Sequence, residues 1–550
     1  MQYYSCLFLR RMIDIEEKGR IMNKYDSFLN ISGDLYSSPS VRMPDIKKVE
    51  ELSRRIGINL SDEEVKEYRE LMKTFVESFN AVENIPEPTL PVKYPRLPGY
   101  RPPVEENPLN AWYWKTNIEG VSEGILKGKS VAIKDNVAVY GVPMMGGSWV
   151  LEGYIPEFDA TVVTRILDAG GVIKGKSICE DFCCFGMSFN GARGPVLNPY
   201  NNTHDAGGSS SGSAVLVANG EVDMAIGGDQ GGSIRLPASC CGIVGLKPTY
   251  GLVPYTGAQS VELTIDHLGP MAKTVYDCAL LLEAIAGYDN GLDPRQPANV
   301  SVEKYTEELA SSDLTGFTIG ILKEGFEHRD SDPRVNELIL QCISKVKVAH
   351  TEIKDVSVPM HTYGVDLVSC IACVGGVDTI FRGGSNGSGR KGFYSTSMRD
   401  AVVRGVQSQP NELSPSVKLK WMVGEYMKHE YRGKYYGKAQ NLARLLTAEF
   451  DKVFQDVDVI VMPTIPFPPK KIPKKDASIS DLFKTASGNN VNTRTFNVTG
   501  HPAISINAGF IDDLPIGMML VGKMFDEKKL LKVAHVFEKL NSTHFNSHQG

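Results

Sequence analysis

Residues 207–235, GGSSSGSAVLVANGEVDMAIGGDQGGSIR, decide how the rest of the chain is read. Two glycine- and serine-dense segments, 205–213 and 227–235, flank two apolar runs, 214–218 and 224–226. The first run reads as a helix over 212–219, the second as a buried strand over 224–227. Glycine at this density costs conformational entropy and needs a reason. Serine hydroxyls on permissive backbone suggest nucleophiles and exposed N–H donors. Flexible linkers are the alternative reading. They fit poorly, because the flanks, including 243–246, are apolar and read as core.

Outward from this stretch the same alternation recurs. Strand-like runs fall at 131–133 and 171–173 and later at 458–462, 503–507 and 516–521. Helical patterns fall at 160–169, 418–427 and 435–454. Such alternation predicts an α/β fold, a large mixed sheet with helices on both faces. Toward the N-terminus, 61–80 reads as an amphipathic helix. Ser61 and Glu64 have capping-box spacing, and Val65, Tyr68, Met72, Phe75, Val76 and Phe79 share one face. Prolines recur over 86–108, which reads as a semi-rigid linker. The expected organisation is an extension of unknown role (1–44), a small helical domain (45–85), the linker (86–108) and a catalytic domain (109–545). The glycine-rich 383–392 and the proline-lysine stretch 463–475 read as surface loops.

Composition narrows the function classes. Of 550 residues, 59 are Lys or Arg and 65 Asp or Glu, a net charge of −6 with no basic footprint for nucleic acid. No run of 18 apolar residues occurs, so no membrane-spanning helix is predicted. In MQYYSCLFLRR the arginines follow the apolar patch, the wrong order for a secretory signal. Met12 and Met22 are alternative starts. Ten thinly spread cysteines show no framework spacing, which reads as reduced thiols in a cytoplasmic chain.

A serine nucleophile needs a base. None of the ten histidines has a telling context, His204, His267 and His501 included. Lysine can serve where burial disfavours its charged form. Lys134 ends the strand-like Val131-Ala132-Ile133 and precedes Asp135-Asn136. A lysine snorkelling from a sheet edge is the bland alternative.

Taken together, Val131-Ala132-Ile133-Lys134-Asp135-Asn136, Gly207-Gly208-Ser209-Ser210-Ser211-Gly212, Gly228-Asp229-Gln230-Gly231-Gly232-Ser233-Ile234-Arg235 and Cys241-Gly242-Ile243-Val244-Gly245-Leu246-Lys247-Pro248-Thr249 resemble the amidase signature family. Further similarity, and Gln230 in particular, points toward its broad-specificity bacterial branch of nitrile-pathway amidases. The resemblance implies hydrolysis of carboxylic acid amides to acid and ammonia. Ser233 would be the nucleophile that carries the acyl group, Ser209 the proton relay and Lys134 the base. Ser210 is second choice as relay. Backbone N–H groups of Gln230, Gly231, Gly232 and Ser233 would form the oxyanion hole. Ser210, Asp229 and Arg235 would support these groups, and Cys183 and Cys184 would line an acyl pocket. The resemblance also implies a cis Gly208–Ser209 peptide and a homodimer. No metal or cofactor is expected, and a small amide is the expected partner.

Several motifs mislead. Gly170-x4-Gly175-Lys176-Ser177 fits a phosphate loop literally, but a helix precedes it and strand-like residues lie within it. Val131–Lys134 copies a kinase strand with no Asp-Phe-Gly to follow. Gly208-Ser209-Ser210-Ser211-Gly212 fits the nucleophile elbow, with Ser210 as nucleophile, but no strand precedes it. Cys370-x2-Cys373 lacks a second pair and reads as two buried helix cysteines. Two other functions stay open: an ammonia-releasing amidotransferase component working with partner chains, and a silent binding protein on the same scaffold.

Overall fold

The structure, a computed structural model, describes residues 40–545. The alternative starts Met12 and Met22 lie outside the described residues, as does most of the 1–44 extension. The chain divides between Thr89 and Leu90 into two compact units, a boundary inside the proline-rich 86–108.

Among the described residues, the first unit holds two helices, Ile46–Arg55 and Asp62–Glu83. The second starts at a reciprocal capping box. Glu64 N–H donates to Ser61 Oγ at 3.3 Å, and Ser61 N–H donates to Glu64 Oε2 at 2.7 Å. Within this unit the helix buries Val65 and leaves Tyr68, Leu71, Phe75 and Phe79 uncovered.

Among the described residues, the second unit is built on one sheet of eleven strands. They are β1 (Trp112–Glu119), β2 (Ser130–Lys134), β3 (Val172–Ser177), β4 (Met224–Asp229), β5 (Val244–Lys247), β6 (His267–Ala272), β7 (Thr318–Leu322), β8 (Glu352–Val356), β9 (Val459–Pro463), β10 (Ala503–Ile511) and β11 (Leu514–Gly522). Their spatial order is β1-β3-β2-β4-β6-β5-β10-β11-β9-β7-β8. β2 runs parallel to β3 and β4, and β7 parallel to β8 and β9. The remaining pairs are antiparallel, so the sheet is mixed.

Alternate residues of one strand face opposite sides, and here both sides are covered. In β2, Val131 and Ile133 enter one apolar core while Ala132 enters another. In β9, Val459 and Val461 share the first core while Ile460 and Met462 pack on the other face. This double burial is why the strands read as continuous apolar runs, and it agrees with the expected α/β class.

The sequence reading missed β1 and β5 to β8. β5 has four residues, and β6, HLGPMA, contains a glycine and a proline inside the strand. Two loop readings need correction. Residues 383–387 are buried, and the fold engages their backbone: Ser260 N–H donates to the Ser385 carbonyl, and Arg399 Nη1 donates to the carbonyls of Gly383 and Gly387. In 463–475, Pro463 ends β9, and Thr464 and Ile465 are buried. Cys370 and Cys373 lie on the helix Gly364–Gly376 but are only half-buried. The span Pro359–Phe381 is long and apolar enough by composition to cross a bilayer, which the sequence reading did not register. Of its apolar window, 67% is buried inside the fold, as in a core helix.

Candidate active site

The site forms where the C-terminal ends of the parallel strands β2 and β4 meet the two glycine-serine loops. Lys134 is the last residue of β2, and its side chain is fully buried. Its Nζ donates to Ser209 Oγ at 2.8 Å and to the Gly228 carbonyl at 3.0 Å. Burying a lysine costs free energy unless its polar atom is paired, and the Ser209 hydroxyl and the Gly228 carbonyl pair it here.

Ser209 follows a cis peptide bond with Gly208 and precedes the helix Ser211–Ala218. Gly208 is obligatory: a Cβ there would lie 2.1 Å from the Met187 carbonyl oxygen. Ser210 N–H donates to the Ser233 carbonyl at 3.2 Å, which holds the two loops side by side. The Ser210 hydroxyl is occupied with the backbone of Gly228, donating to its carbonyl and accepting from its N–H, each at 3.1 Å. That pairing ties the Ser210 hydroxyl to the end of β4.

Ser233 is 5% exposed and lines a cavity of about 440 Å³. Its hydroxyl has no hydrogen bond among the described residues. The strip before it is shaped by Asp229, which ends β4 fully buried. Asp229 accepts from Gly232 N (2.6 Å), Ile234 N (3.0 Å), Arg235 Nε (3.1 Å), Arg235 Nη2 (3.0 Å) and Asn497 Nδ2 (2.8 Å). Burial works against its charge, but Arg235 beside it and these donors hold the carboxyl well below the usual range. Arg235 is itself saturated, with Thr493 O and Asn497 Oδ1 as further acceptors. Gly232 has φ +125°, and a Cβ there would lie 2.3 Å from Thr493 Oγ1.

The expected oxyanion strip of four amides therefore needs a correction. The Gly232 N–H is spent on Asp229, while those of Gln230, Gly231 and Ser233 have no acceptor among the described residues. The Gln230 side chain lines the cavity and donates to Tyr255 Oη at 3.0 Å.

Beneath Lys134 lies a second buried ion pair, Lys176 Nζ to Asp135 Oδ1 at 3.0 Å. Burial raises the Asp135 carboxyl and lowers the Lys176 ammonium, and each partner's charge opposes the shift. Asp135 Oδ2 accepts the N–H groups of Met145 and Gly146, pinning the loop after β2. The phosphate-loop lysine of the sequence is thus a strand residue committed to Asp135.

Cys183 and Cys184 both line the cavity. Cys183 has a closer relation to the site than its residue type announces. A hydrogen bond with Cys179, then the Lys134 charge and the Ser209 hydroxyl, bring its thiol down to about 7 against the pull of burial. Arg494 and Lys420, which sequence reasoning did not single out, also line the cavity. Neither belongs to a motif, and they lie far apart in the chain. None of His204, His267 and His501 lines it.

Residues 104–531 match the family model described as Amidase. An enantioselective amidase of Rhodococcus rhodochrous is 40% identical over 501 residues, 91% of this chain and 96% of that protein. A glutamyl-tRNA(Gln) amidotransferase component from Methanosarcina acetivorans is 34% identical over 458 residues, 81% of this chain and 93% of that protein. Among solved structures, the peptide amidase of Stenotrophomonas maltophilia superposes with a TM-score of 0.62 at 27% identity, covering 76% of this chain and 84% of its own. The chain belongs to the amidase family.

Proposed function

We propose that this protein hydrolyses carboxylic acid amides through an acyl-enzyme on Ser233. The carrying observation is the buried Lys134 Nζ–Ser209 Oγ contact of 2.8 Å, next to a serine that opens onto a cavity. In the proposed reaction, Ser233 Oγ attacks the amide carbonyl while its proton passes to Ser209, whose own proton passes to Lys134. The tetrahedral oxygen accepts from the unengaged amides of the 230–233 strip. As the C–N bond breaks, Ser209 returns a proton to the leaving nitrogen and ammonia departs. Water, deprotonated along the same relay, then attacks the ester and releases acid and free Ser233. Cys183 and Cys184 form part of the wall around the acyl group.

Ammonia release from small primary amides such as propionamide and benzamide tests this reading. Wild type should release ammonia, and Ser233→Ala should not. Lys134→Ala should lose several orders of magnitude, because it removes the base from a coupled unit. Turnover by Ser233→Ala, or only a few-fold loss in Lys134→Ala, would overturn the roles assigned.

The 34% identity to an amidotransferase component supports a second reading, release of ammonia for a partner chain. Full ammonia release by the purified chain alone decides against it. A homodimer fits the stripe of Tyr68, Leu71, Phe75 and Phe79 that the first unit leaves uncovered. A reducing, cytoplasmic setting fits the free cysteines of the described residues.

A further inference from the structure

Arg235 and Arg494 present opposite cases of a buried arginine. Arg235 spends its guanidinium on Asp229, Asn497 and Thr493, so it is structural. The Arg494 side chain makes one hydrogen bond among the described residues, Nη1 to Ser369 Oγ at 3.2 Å. Its Nε is buried without an acceptor. The side chain also flanks the reacting strip, with Nε 3.7 Å from where a Gly231 side chain would begin. A guanidinium held this way, at the edge of a cavity, is prepared for an anion.

The cavity lining agrees. Lys420, half-buried on the helix Pro415–Tyr431, also lines it, and its Nζ makes its hydrogen bond to Cys184 Sγ at 3.2 Å. Among the described residues, no aspartate or glutamate lines the cavity. The acid that acts on Arg494, Asp366, is exposed and outside the lining. The remaining wall is largely apolar, with Val261, Ile265, Val368, Ala372, Leu419 and Phe483. Two cations without a lining anion, in a cavity of about 440 Å³, select for negative charge on an apolar body.

We propose that the acyl pocket takes amides whose acyl part carries a carboxylate, such as monoamides of dicarboxylic acids, with Arg494 and Lys420 as the specificity-determining cations. This rests on the amidase reading for turnover but not for binding. A free α-amino acid amide side chain, as in glutamine, is disfavoured, since no lining acid meets its ammonium.

The test pairs neutral and anionic amides of similar shape: butyramide with succinamate, and p-toluamide with 4-carbamoylbenzoate. The expected result is a kcat/KM preference for the carboxylate that falls by about tenfold to a hundredfold in Arg494→Met, the loss of one charge-assisted contact. Lys420→Met, on a different helix, should lower the same ratio, which guards against a folding defect in one variant. In parallel, calorimetry on Ser233→Ala should show succinamate binding that weakens with salt and with Arg494→Met, and butyramide binding at least tenfold weaker. Equal binding of the two, or equal kcat/KM losses on both substrates in Arg494→Met, would overturn the proposal. The latter would assign Arg494 to the developing oxyanion. Selective binding without turnover of any amide would sink the amidase reading and leave the pocket's specificity standing.

Discussion

Asp229→Asn is the sharpest perturbation of the strip beside Ser233. The carboxylate takes three donors on Oδ1 (Gly232 N, Arg235 Nη2, Asn497 Nδ2) and two on Oδ2 (Ile234 N, Arg235 Nε). An asparagine has one acceptor oxygen, so in either rotamer at least two donors face an NH2 group. It also leaves the Arg235 charge unpaired at a fully buried position. Breaking one partner of a buried pair costs about 3–5 kcal/mol. Orphaned donors add about 1–3 kcal/mol each, though not additively, so a loss of about 5 kcal/mol is expected. Because Gly232 and Ile234 bracket Ser233, the strip should also relax, and kcat should fall about a hundredfold, the scale of losing one oxyanion donor. Urea unfolding by fluorescence reads the first quantity, and ammonia release by protein kept in native buffer reads the second. Asp229→Leu with Arg235→Met supplies the control. Removing both charges should recover the unpaired-charge part of the loss only, because Gly232 N, Ile234 N and Asn497 Nδ2 still lack their acceptor, while turnover stays low. A destabilisation below about 1 kcal/mol with turnover within threefold of wild type would refute the claim that Asp229 builds the strip.

Gly232→Ala should cost about 2 kcal/mol or more and most of the turnover, because its Cβ meets Thr493 Oγ1 at 2.3 Å on a backbone at φ +125°. Gly231→Ala, where the nearest contact is Arg494 Cγ at 3.5 Å, should stay within about 1 kcal/mol in a thermal melt; equal losses would remove the steric argument. Iodoacetamide should block turnover with a rate that inflects near pH 7, the value to which Cys179, Lys134 and Ser209 bring the Cys183 thiol. Cys183→Ala should abolish that inflection; an unchanged profile would place the reactive thiol elsewhere. Burial holds His361 at about 4, with Asn492 and Glu324 opposing. A depressed histidine gives stability that is complete above its unfolded value near 6.5 and is lost as pH falls toward 4, about 3 kcal/mol in all. The stability gap between wild type and His361→Gln should narrow by that amount from pH 7 to 4, and a constant gap would reject the assignment.

The sequence by itself located several interior strands of the sheet and the side chains proposed to react. β2, β4 and β9 are buried on both faces, so their residues had to be continuously apolar and stood out. Lys134 ends β2, and Ser209 and Ser233 stand in glycine patterns that steric contact enforces: Gly208 against Met187, Gly232 against Thr493. Local rules also sufficed for the capping box at Ser61. Tertiary structure decided what depends on partners distant in the chain. β5 and β6 exist because neighbours supply their hydrogen bonds, despite short length and an internal proline. The spending of the Gly232 amide on Asp229 depends on a carboxylate fixed from the far side by Arg235 and Asn497. Arg235 stands inside a signature motif, whereas Arg494 belongs to none. The acceptors brought to them by the fold, many for Arg235 and a single hydroxyl for Arg494, show which guanidinium is committed to the structure and which is left beside the cavity.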